Sequence, residues 1–250
     1  MAVRALDRGL ALLIELGRGG ERSLKELATA VGLPASTTHR LLDTLVARGF
    51  ARQTGPHGRY GLGVRAFEVG TGYVLAGVTE AAQEAMASVT EELNETVNLA
   101  VRDGAHAVYV QQVEGRQRVR MFTRVGARVP LHASGVGKSL LAWEPGGVPS
   151  ELAPSGRLEP FTAATLVTTE ALRRELRATA ARGYAVDLEE FEPGVRCAAA
   201  PVRDASGEVV AAMSASAPVA RFDDARLAEV GQRLVEAARE VSRRLGWRPT

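Results

Sequence analysis

The chain has 250 residues, of which 46% are hydrophobic and 24% charged, and its formal net charge is +2. This composition excludes disordered and fibrous proteins and suffices for two globular domains. No apolar run approaches the roughly 20 residues that span a bilayer, and the N-terminus lacks the apolar run of a signal peptide. We therefore expect a cytoplasmic protein with no membrane partner. The one cysteine, Cys197, excludes an internal disulfide, and with four histidines it makes a poor metal site, so we expect no metal and no cofactor.

The first predicted element is a helix over residues 3–16. Its large apolar residues recur at helical spacing, which predicts that this face packs behind the segment that follows. These residues are Leu6, Leu10, Leu13 and Ile14.

A second helix begins with a capping box. Ser23 and Glu26 stand three residues apart, so that the hydroxyl and the carboxylate each accept a hydrogen bond from a backbone N–H that lacks a helical partner. Apolar residues then recur on one face, at Leu24, Leu27, Ala28 and Val31. Gly32 ends the helix, because glycine adopts the left-handed conformation past a helix end without steric cost.

A third helix is predicted from Pro34, which fits a first helical turn, to about Arg48. Its core-facing stripe comprises Leu41, Leu42, Leu45 and Val46. Its N-terminal end is polar and carries Ser36, Thr37, Thr38, His39 and Arg40. Two helices joined by a tight turn form a helix-turn-helix, whose second helix enters the DNA major groove. We expect these five polar residues to contact double-stranded DNA, with hydroxyls on phosphates or thymine methyl groups and the arginine on guanine or the backbone.

A hairpin is predicted next, with extended runs at residues 50–53 and 59–61 around a turn-rich tip. Arg52 and Arg59 flank this wing, and we expect them to contact DNA, as we do Arg4 in the first helix; Arg8 is a further candidate for phosphate. Residues 1–78 carry ten basic and six acidic side chains, a net charge of +4, and the remainder carries −2. Positive charge concentrated on the groove-reading segment is what phosphate binding requires.

The rest of the chain predicts an α+β fold. A linker helix interrupted by glycines leads to a long helix that ends near Leu93, and strands and helices then alternate. The predicted strands cover residues 96–102, 107–113, 119–125, 186–190, 197–203 and 209–216, and the helices cover 137–142, 170–182 and 223–245. We expect a winged helix-turn-helix domain over 1–62, a linker helix over 63–78, and a domain over 79–250 with a central antiparallel sheet flanked by helices.

Three motifs together resemble the IclR family of bacterial transcription regulators. They are Gly32 to Leu42, Leu131 to Ser139, and Arg182 to Asp187 followed by Gly194 to Ala199. The resemblance implies a GAF-like effector-binding domain at the C-terminus and assembly as a homodimer or homotetramer. It also implies a ligand-responsive repressor or activator of a catabolic or metabolic operon. The effector would be a small carboxylic acid or an aromatic metabolite, and the protein would not be an enzyme.

The resemblance also implies which residues line the effector pocket. They are Met121, Val129, Gly135, Val136, Asp187, Cys197, Ser214 and Ser216. Ser214 and Ser216 share a strand face, and with the backbone N–H groups at Gly135 they suit a ligand carboxylate. Asp187 fits an anionic ligand less well because like charges repel, so it either accepts a ligand hydroxyl or holds a loop.

Two other kinds of site have partial signals in the sequence, a phosphate-binding P-loop and a cysteine hydrolase. Residues 135–139 match the end of a phosphate-binding P-loop, but His132 occupies the position of its first glycine. We therefore expect Lys138 to be a surface charge. Cys197 would be a hydrolytic nucleophile only with a histidine base such as His132 or His106, and a cysteine beside alanines is more often a small buried hydrophobe. The alternative function is a metabolite-binding module or a thiol enzyme that does not bind DNA.

Overall fold

The computed structural model describes residues 3–55, 58–71, 77–118, 123–145, 147–153 and 156–248. The chain divides into two compact units, Met1–Val74 and Leu75–Thr250. This division falls inside the segment that we expected to be the linker. Among the described residues, no helix has both the length and the apolar character needed to cross a bilayer.

The N-terminal unit is a winged helix-turn-helix. Its elements are α1 (Arg4–Gly17), α2 (Leu24–Ala30), α3 (Ala35–Ala47), β1 (Ala51–Gln53), β2 (Tyr60–Leu62) and α4 (Val64–Thr71). Strands β1 and β2 pair antiparallel, and Arg22 forms a bridge to Tyr60 beside them. Three helices and the wing share one core, which consists of Leu12, Leu16, Leu27, Leu42, Ala51 and Tyr60.

The predicted start and end of α2 are confirmed. The Ser23 hydroxyl accepts a hydrogen bond from the Glu26 backbone N–H at 3.3 Å, and the Glu26 carboxylate accepts one from the Ser23 N–H at 2.6 Å. Gly32 follows α2 with a φ of 63°, in the left-handed region. Pro34 is the capping residue of α3 and not its first helical residue, because its ψ of 142° is extended.

The predicted core faces of α1 and α3 require correction. Leu6, Leu10 and Ile14 are 62%, 50% and 64% exposed, and α1 packs on the rest of the unit through Leu12 and Leu16. The helix has apolar residues on two sides, and periodicity alone does not say which side meets the core. On α3, Leu42 is fully buried but Val46 is exposed.

The C-terminal unit contains a six-stranded sheet in the order β5-β4-β3-β8-β7-β6, with every neighbouring pair antiparallel. Its strands are β3 (Thr96–Asp103), β4 (His106–Val113), β5 (Arg128–Pro130), β6 (Ala185–Leu188), β7 (Val195–Arg203) and β8 (Val209–Pro218). Its helices are α5 (Val78–Leu93), α6 (Gly135–Leu141), α7 (Thr169–Arg182) and α8 (Asp224–Arg244), with a 3-10 turn at Ser150–Leu152. The α+β fold class is confirmed.

Helices cover both faces of this sheet. Ala198 and Ala200 of β7 belong to the core that includes α5 and α8, whereas Ala199 belongs to the core with α6 and α7. Successive strand residues alternate between the two faces, so β7 is buried on both sides. The face under α6 contains several of the residues predicted to line the effector pocket.

One predicted strand is wrong in position. Residues 119–122 of the predicted strand 119–125 lie outside the described residues, and 123–125 are not a strand. The chain instead turns at Gly126, whose φ is 87°, and pairs with β4 through β5. The turn sets this pairing, because the Gly126 N–H donates to the Tyr109 carbonyl at 2.7 Å.

Candidate functional site

The N-terminal end of α3 presents a polar face to solvent. Ser36, His39 and Arg40 are exposed, and their spacing of three and four residues places them on one side of the helix. The His39 Nδ1 atom lies 2.9 Å from a carboxylate oxygen of Asp43, one turn further along. The helix therefore offers hydrogen-bonding groups of both kinds on a single surface.

Thr38 does not belong to that surface. Its side chain is fully buried, and its hydroxyl donates to the Pro34 carbonyl at 3.1 Å. The cause is helical geometry, because Thr38 lies one turn before the core residue Leu42. The prediction that its side chain contacts DNA is wrong.

A groove of about 370 Å³ between α1 and α3 is lined by three arginines, Arg4, Arg8 and Arg40, together with Thr37. Within the described ranges, none of the three guanidinium groups forms an ion pair. Three uncompensated cations around one groove favour an anion there. Phosphate groups of a nucleic acid are such anions.

The arginines of the wing are already paired within the unit. Arg52 Nη1 lies 2.7 Å from Glu21, and Arg59 Nη2 lies 2.9 Å from Glu26. Arg59 also donates from Nε to the Glu21 carbonyl at 2.8 Å. These contacts brace the hairpin against the start of α2, and contact of Arg52 and Arg59 with DNA would require each guanidinium to exchange its carboxylate for a phosphate.

The C-terminal unit contains a cavity of about 190 Å³ between β4, β5, the start of α6 and the end of β6. We call it the effector cavity, because residues predicted to bind the effector line it. Five of the predicted pocket residues line it: Val129, Gly135, Asp187, Cys197 and Ser216. The β-sheet register explains part of this grouping, since Cys197 pairs with both Asp187 and Ser216 on neighbouring strands.

Two described residues of the predicted pocket, Val136 and Ser214, do not line the cavity. A third predicted residue, Met121, lies outside the described residues. Val136 is 1% exposed and packs into the core under α6. Ser214 is fully buried, pairs with Ala199 and lies one strand repeat away from Ser216. Val136 and Ser214 are therefore not part of the described lining, and their contact with a ligand stays a prediction.

Cys197 is a structural neighbour of the α6 start and not a nucleophile. Burial raises the pKa of its thiol to about 12, although the nearby Ser216 and Ser214 hydroxyls oppose that rise. A Cβ atom added to Gly135 would lie 2.9 Å from the Cys197 Sγ atom, so a larger residue at position 135 would clash with the thiol. The His132 Nε2 atom bonds to the Glu159 carbonyl at 2.9 Å. A protonated thiol without a histidine base does not support hydrolysis.

Asp187 holds a turn, one of the two roles that the sequence left open. Its carboxylate accepts the backbone N–H of Glu190 at 2.8 Å. Burial raises the pKa of Asp187 to about 7, while the Glu190 hydrogen bond and the positive charge of Lys138 act in the opposite direction. Close to neutral pH, a large share of Asp187 is therefore uncharged, and an anionic ligand meets less repulsion.

Lys138 is fully buried, so the prediction of a surface charge is wrong. All seven residues of α6 are buried, and the Lys138 ammonium forms an ion pair with the Glu190 carboxylate. The backbone around Glu190 is held further by Thr165, whose hydroxyl donates to the Glu190 carbonyl at 2.6 Å. Because the ammonium is occupied by this partner, it is not presented to a phosphate as a P-loop lysine would be.

Tyr109 is a cavity residue that sequence reasoning missed. It lines the effector cavity from β4, and among the described residues its hydroxyl has no hydrogen-bond partner. Burial raises the pKa of its phenol, so the group remains a neutral donor. One feature of the sequence could have indicated Tyr109. It lies two residues after Ala107, so the two side chains are on the same face of β4.

Ser134 is a second cavity residue that sequence reasoning missed. It lines the cavity and caps α6, since its hydroxyl accepts a hydrogen bond from the Gly137 N–H at 3.2 Å.

Within the described ranges, no three His, Cys, Asp or Glu residues are grouped so that they could hold a metal ion. The polar groups around the effector cavity are hydroxyls, a phenol, a thiol, the carboxyls of Asp187 and Glu192, and the guanidinium of Arg128. Such a set suits hydrogen bonding to a small polar ligand.

Comparison with known proteins decides the family. The model described as IclR helix-turn-helix domain matches residues 5–55, and the model described as Bacterial transcriptional regulator IclR C-terminal matches residues 74–243. This chain belongs to the IclR family. It is a DNA-binding transcriptional regulator with an effector-binding domain, and it is not an enzyme.

Similarity extends over nearly the whole chain. The transcriptional repressor IclR of Escherichia coli K12 is 39% identical over 244 residues, covering 96% of this chain and 89% of the relative. The crystal structure of the Thermotoga maritima IclR is similar with a TM-score of 0.78 and 32% identity, covering 98% of this chain and 99% of that one. An IclR homolog from Microbacterium hydrocarbonoxydans, crystallised with 4-hydroxybenzoate, gives a TM-score of 0.79 at 26% identity, covering 95% and 98%.

The contact between Gly135 and Cys197 gives a first prediction. Replacing Gly135 by alanine forces a methyl group onto the Cys197 Sγ atom, and we expect the free energy of unfolding to fall by about 1–3 kcal/mol. In a Cys197→Ala background the same replacement should cost clearly less, because the clashing atom is gone. Chemical denaturation of the four proteins measures this.

The control is Gly70→Ala on α4, where an added Cβ meets open space. It should not destabilise the protein. Equal costs of Gly135→Ala in both backgrounds would contradict the assigned contact.

Proposed function

We propose that this regulator recognises an operator in double-stranded DNA by inserting α3 into the major groove. Ser36, His39 and Arg40 would face base edges and phosphates. The observation that carries the proposal is the groove formed by Arg4, Arg8, Arg40 and Thr37, whose cations lack carboxylate partners in the described unit. Phosphates bound there would fix the register of α3 on the duplex.

The wing would add phosphate contacts. Arg52 and Arg59 are 62% and 52% exposed, so each can exchange its carboxylate for a phosphate without leaving a buried charge behind. Exposed ion pairs contribute little to stability, typically about 0–1 kcal/mol. Thr38 is excluded from this proposal by its burial.

Substitution of the groove arginines tests DNA recognition. Arg40→Ala should weaken binding to an operator fragment recovered by genomic selection. Arg4→Ala should weaken binding to that fragment and to a random duplex by similar factors, and reduce the slope of log affinity against log salt by about 1, because it removes one phosphate contact. Fluorescence anisotropy at several salt concentrations measures both effects.

Arg48→Ala is the matched control, since Arg48 is exposed at the opposite end of α3. Its affinity should stay close to that of the unaltered protein. If Arg40→Ala and Arg4→Ala bind DNA as tightly as Arg48→Ala, the proposed interface is wrong.

We propose a small organic acid, aliphatic or with a single aromatic ring, as the effector. A cavity of about 190 Å³ limits the ligand to this size. The Tyr109 phenol, the Ser216 hydroxyl and protonated Asp187 can donate hydrogen bonds to a carboxylate, and Val129 and Phe191 can cover a ring. The similar protein crystallised with 4-hydroxybenzoate supports an aromatic acid.

The raised pKa of Asp187 gives a pH prediction. The uncharged carboxyl is favoured below about pH 7 and is lost as the pH rises through that value. Affinity for an anionic ligand should therefore fall from about pH 6 to about pH 8, approaching a tenfold loss per unit above the pKa. Calorimetric titration with 4-hydroxybenzoate as the probe measures this. Asp187→Asn should give a nearly flat profile, since an amide does not ionise in this range.

The uncharged methyl ester of the probe is the control ligand, and its affinity should change little with pH. A steep profile that survives Asp187→Asn would show that another group titrates and would contradict the role of Asp187.

We propose that the protein acts as a symmetric homo-oligomer, a homodimer or a homotetramer. The N-terminal unit exposes one apolar stripe on α1, at Leu6, Leu10 and Ile14, and another on α4, where Val64 and Phe67 are 70% and 73% exposed. Contiguous apolar surface of this kind is unusual in a monomer and typical of an interface. A two-fold interface would present two copies of α3 to a pseudo-palindromic operator.

A charged residue on the α1 stripe tests the assembly. Leu10→Glu should lower the molar mass measured by light scattering and weaken operator binding, because a buried unpaired carboxylate opposes the interface. Leu188→Glu is the control, since Leu188 is an exposed leucine of the C-terminal unit. An unchanged mass for Leu10→Glu would refute the proposed interface.

The effector would act by binding one arrangement of the two DNA-binding heads more tightly than the other. A ligand with equal affinity for both arrangements would not shift the equilibrium between them. The regulated genes would form a catabolic or metabolic operon, repressed or activated by the protein in the cytoplasm. A metabolite-binding module without DNA activity would show no salt-dependent DNA binding. A thiol enzyme is disfavoured by the protonated, buried Cys197.

A further inference from the structure

A second cavity of about 220 Å³ lies at the edge of the sheet in the C-terminal unit, where β6 stops pairing with β7. We call it the tryptophan cavity, because Trp143 and Trp247, the two tryptophans of the chain, both line it. Its lining also includes Pro201 and Arg203 of β7 and Arg239 of α8. Among the described residues it shares no lining side chain with the effector cavity.

Arg203 is a partly buried cation without a carboxylate partner. Its guanidinium carbon lies 5.0 Å from the centre of the Trp143 ring, and its Nη1 donates to the Gly207 carbonyl at 2.8 Å. Burial lowers the pKa of this guanidinium, and Glu208 offsets the effect only in part. In the described structure no carboxylate lies within ion-pair distance of it, so the buried charge is compensated only in part, by the more distant Glu208 carboxylate.

The other polar side chains of the cavity add donors. Arg239 is exposed at its rim and forms no ion pair with a described residue. Neither indole N–H group of the tryptophans donates to any residue that the structure describes. The Ser242 hydroxyl is already engaged, since it donates to the Ala238 carbonyl at 2.6 Å and accepts from the Arg203 N–H at 2.9 Å.

The lining of the cavity combines cationic and apolar groups. Arg203 and Arg239 supply the cations, whereas Ala180 and Gly183 come from the C-terminal turn of α7. The carbonyls at a helix C-terminus carry partial negative charge and disfavour an anion beside them. A carboxylate would therefore bind at Arg203 and Arg239, with the apolar part of the ligand against the indoles and Pro201.

We propose that the tryptophan cavity is a second ligand site, separate from the effector cavity, for a single-ring aromatic carboxylate. Guanidinium groups bind carboxylates with paired hydrogen bonds, and indole rings stack on planar aromatic groups. The volume is below the roughly 300–1,000 Å³ typical of sites for drug-sized ligands, which restricts the ligand to one ring.

Tryptophan fluorescence tests the site directly, because both emitting side chains line it. The full-length protein is titrated with sodium benzoate at constant ionic strength, and with benzyl alcohol and sodium chloride as probes that lack the charge or the ring. We expect a saturable change with benzoate alone. In Arg239→Met and in Arg203→Lys the dissociation constant should rise at least about tenfold, the loss that corresponds to one charge-assisted contact.

Arg243→Met is the matched control, since Arg243 lies one turn further on the same helix, is exposed and does not line the cavity. It should bind benzoate as the unaltered protein does. Arg239→Met changes an exposed side chain and should fold normally, so loss of binding there cannot be attributed to misfolding. Ser216→Val in the effector cavity should leave the fluorescence response intact.

Three results would overturn the proposal. They are the absence of a saturable response, equal affinity in Arg239→Met and Arg243→Met, and loss of the response in Ser216→Val, which would assign the signal to the effector cavity. None of them depends on DNA binding or on the natural effector, so the outcome is independent of the function proposed above.

Discussion

The buried ion pair between Lys138 and Glu190 organises the effector-binding unit. It joins α6 to the turn after β6, two segments that are distant in sequence. Moving two charges out of water costs several kcal/mol each, and only their mutual attraction and further hydrogen bonds offset this cost. The turn is also held by hydrogen bonds at the Glu190 backbone, since its N–H donates to the Asp187 carboxylate and its carbonyl accepts from the Thr165 hydroxyl. With the turn fixed, Asp187 and Phe191 lie beside Gly135 around one cavity.

The two units differ in whether their functional charges are buried or exposed. In the C-terminal unit a lysine and a glutamate are buried together, and burial raises the pKa of Asp187 to about 7, so its carboxyl is partly uncharged near neutral pH and repels a carboxylate less. In the N-terminal unit the arginines of the groove between α1 and α3 lie at the surface without partners in the described chain. The first arrangement suits a small polar ligand enclosed by protein, and the second suits an extended polyanion.

Local signals in the sequence predicted much of this structure. The Ser23 capping box, Gly32 and the two strand-like runs at residues 96–102 and 107–113 depend on neighbouring residues, and the structure contains all of them. The family resemblance placed Asp187, Cys197 and Ser216 together, although they are far apart in sequence. The predictions that were wrong depended on tertiary packing, which local sequence patterns do not contain. Periodicity could not tell which side of α1 is buried, and a lysine in a short glycine-rich helix gave no sign of a buried partner 52 residues away.

The double-mutant cycle on Lys138 and Glu190 tests the central claim most directly. Free energies of unfolding and affinities for the 4-hydroxybenzoate probe are measured for Lys138→Met, Glu190→Leu and the double variant. Either single replacement leaves a buried charge without its partner, and we expect a loss of about 3–5 kcal/mol in stability together with weaker ligand binding. The double variant removes both charges and should recover much of the stability. Additive losses, with ligand binding unchanged in the single variants, would contradict an effector cavity built on this pair.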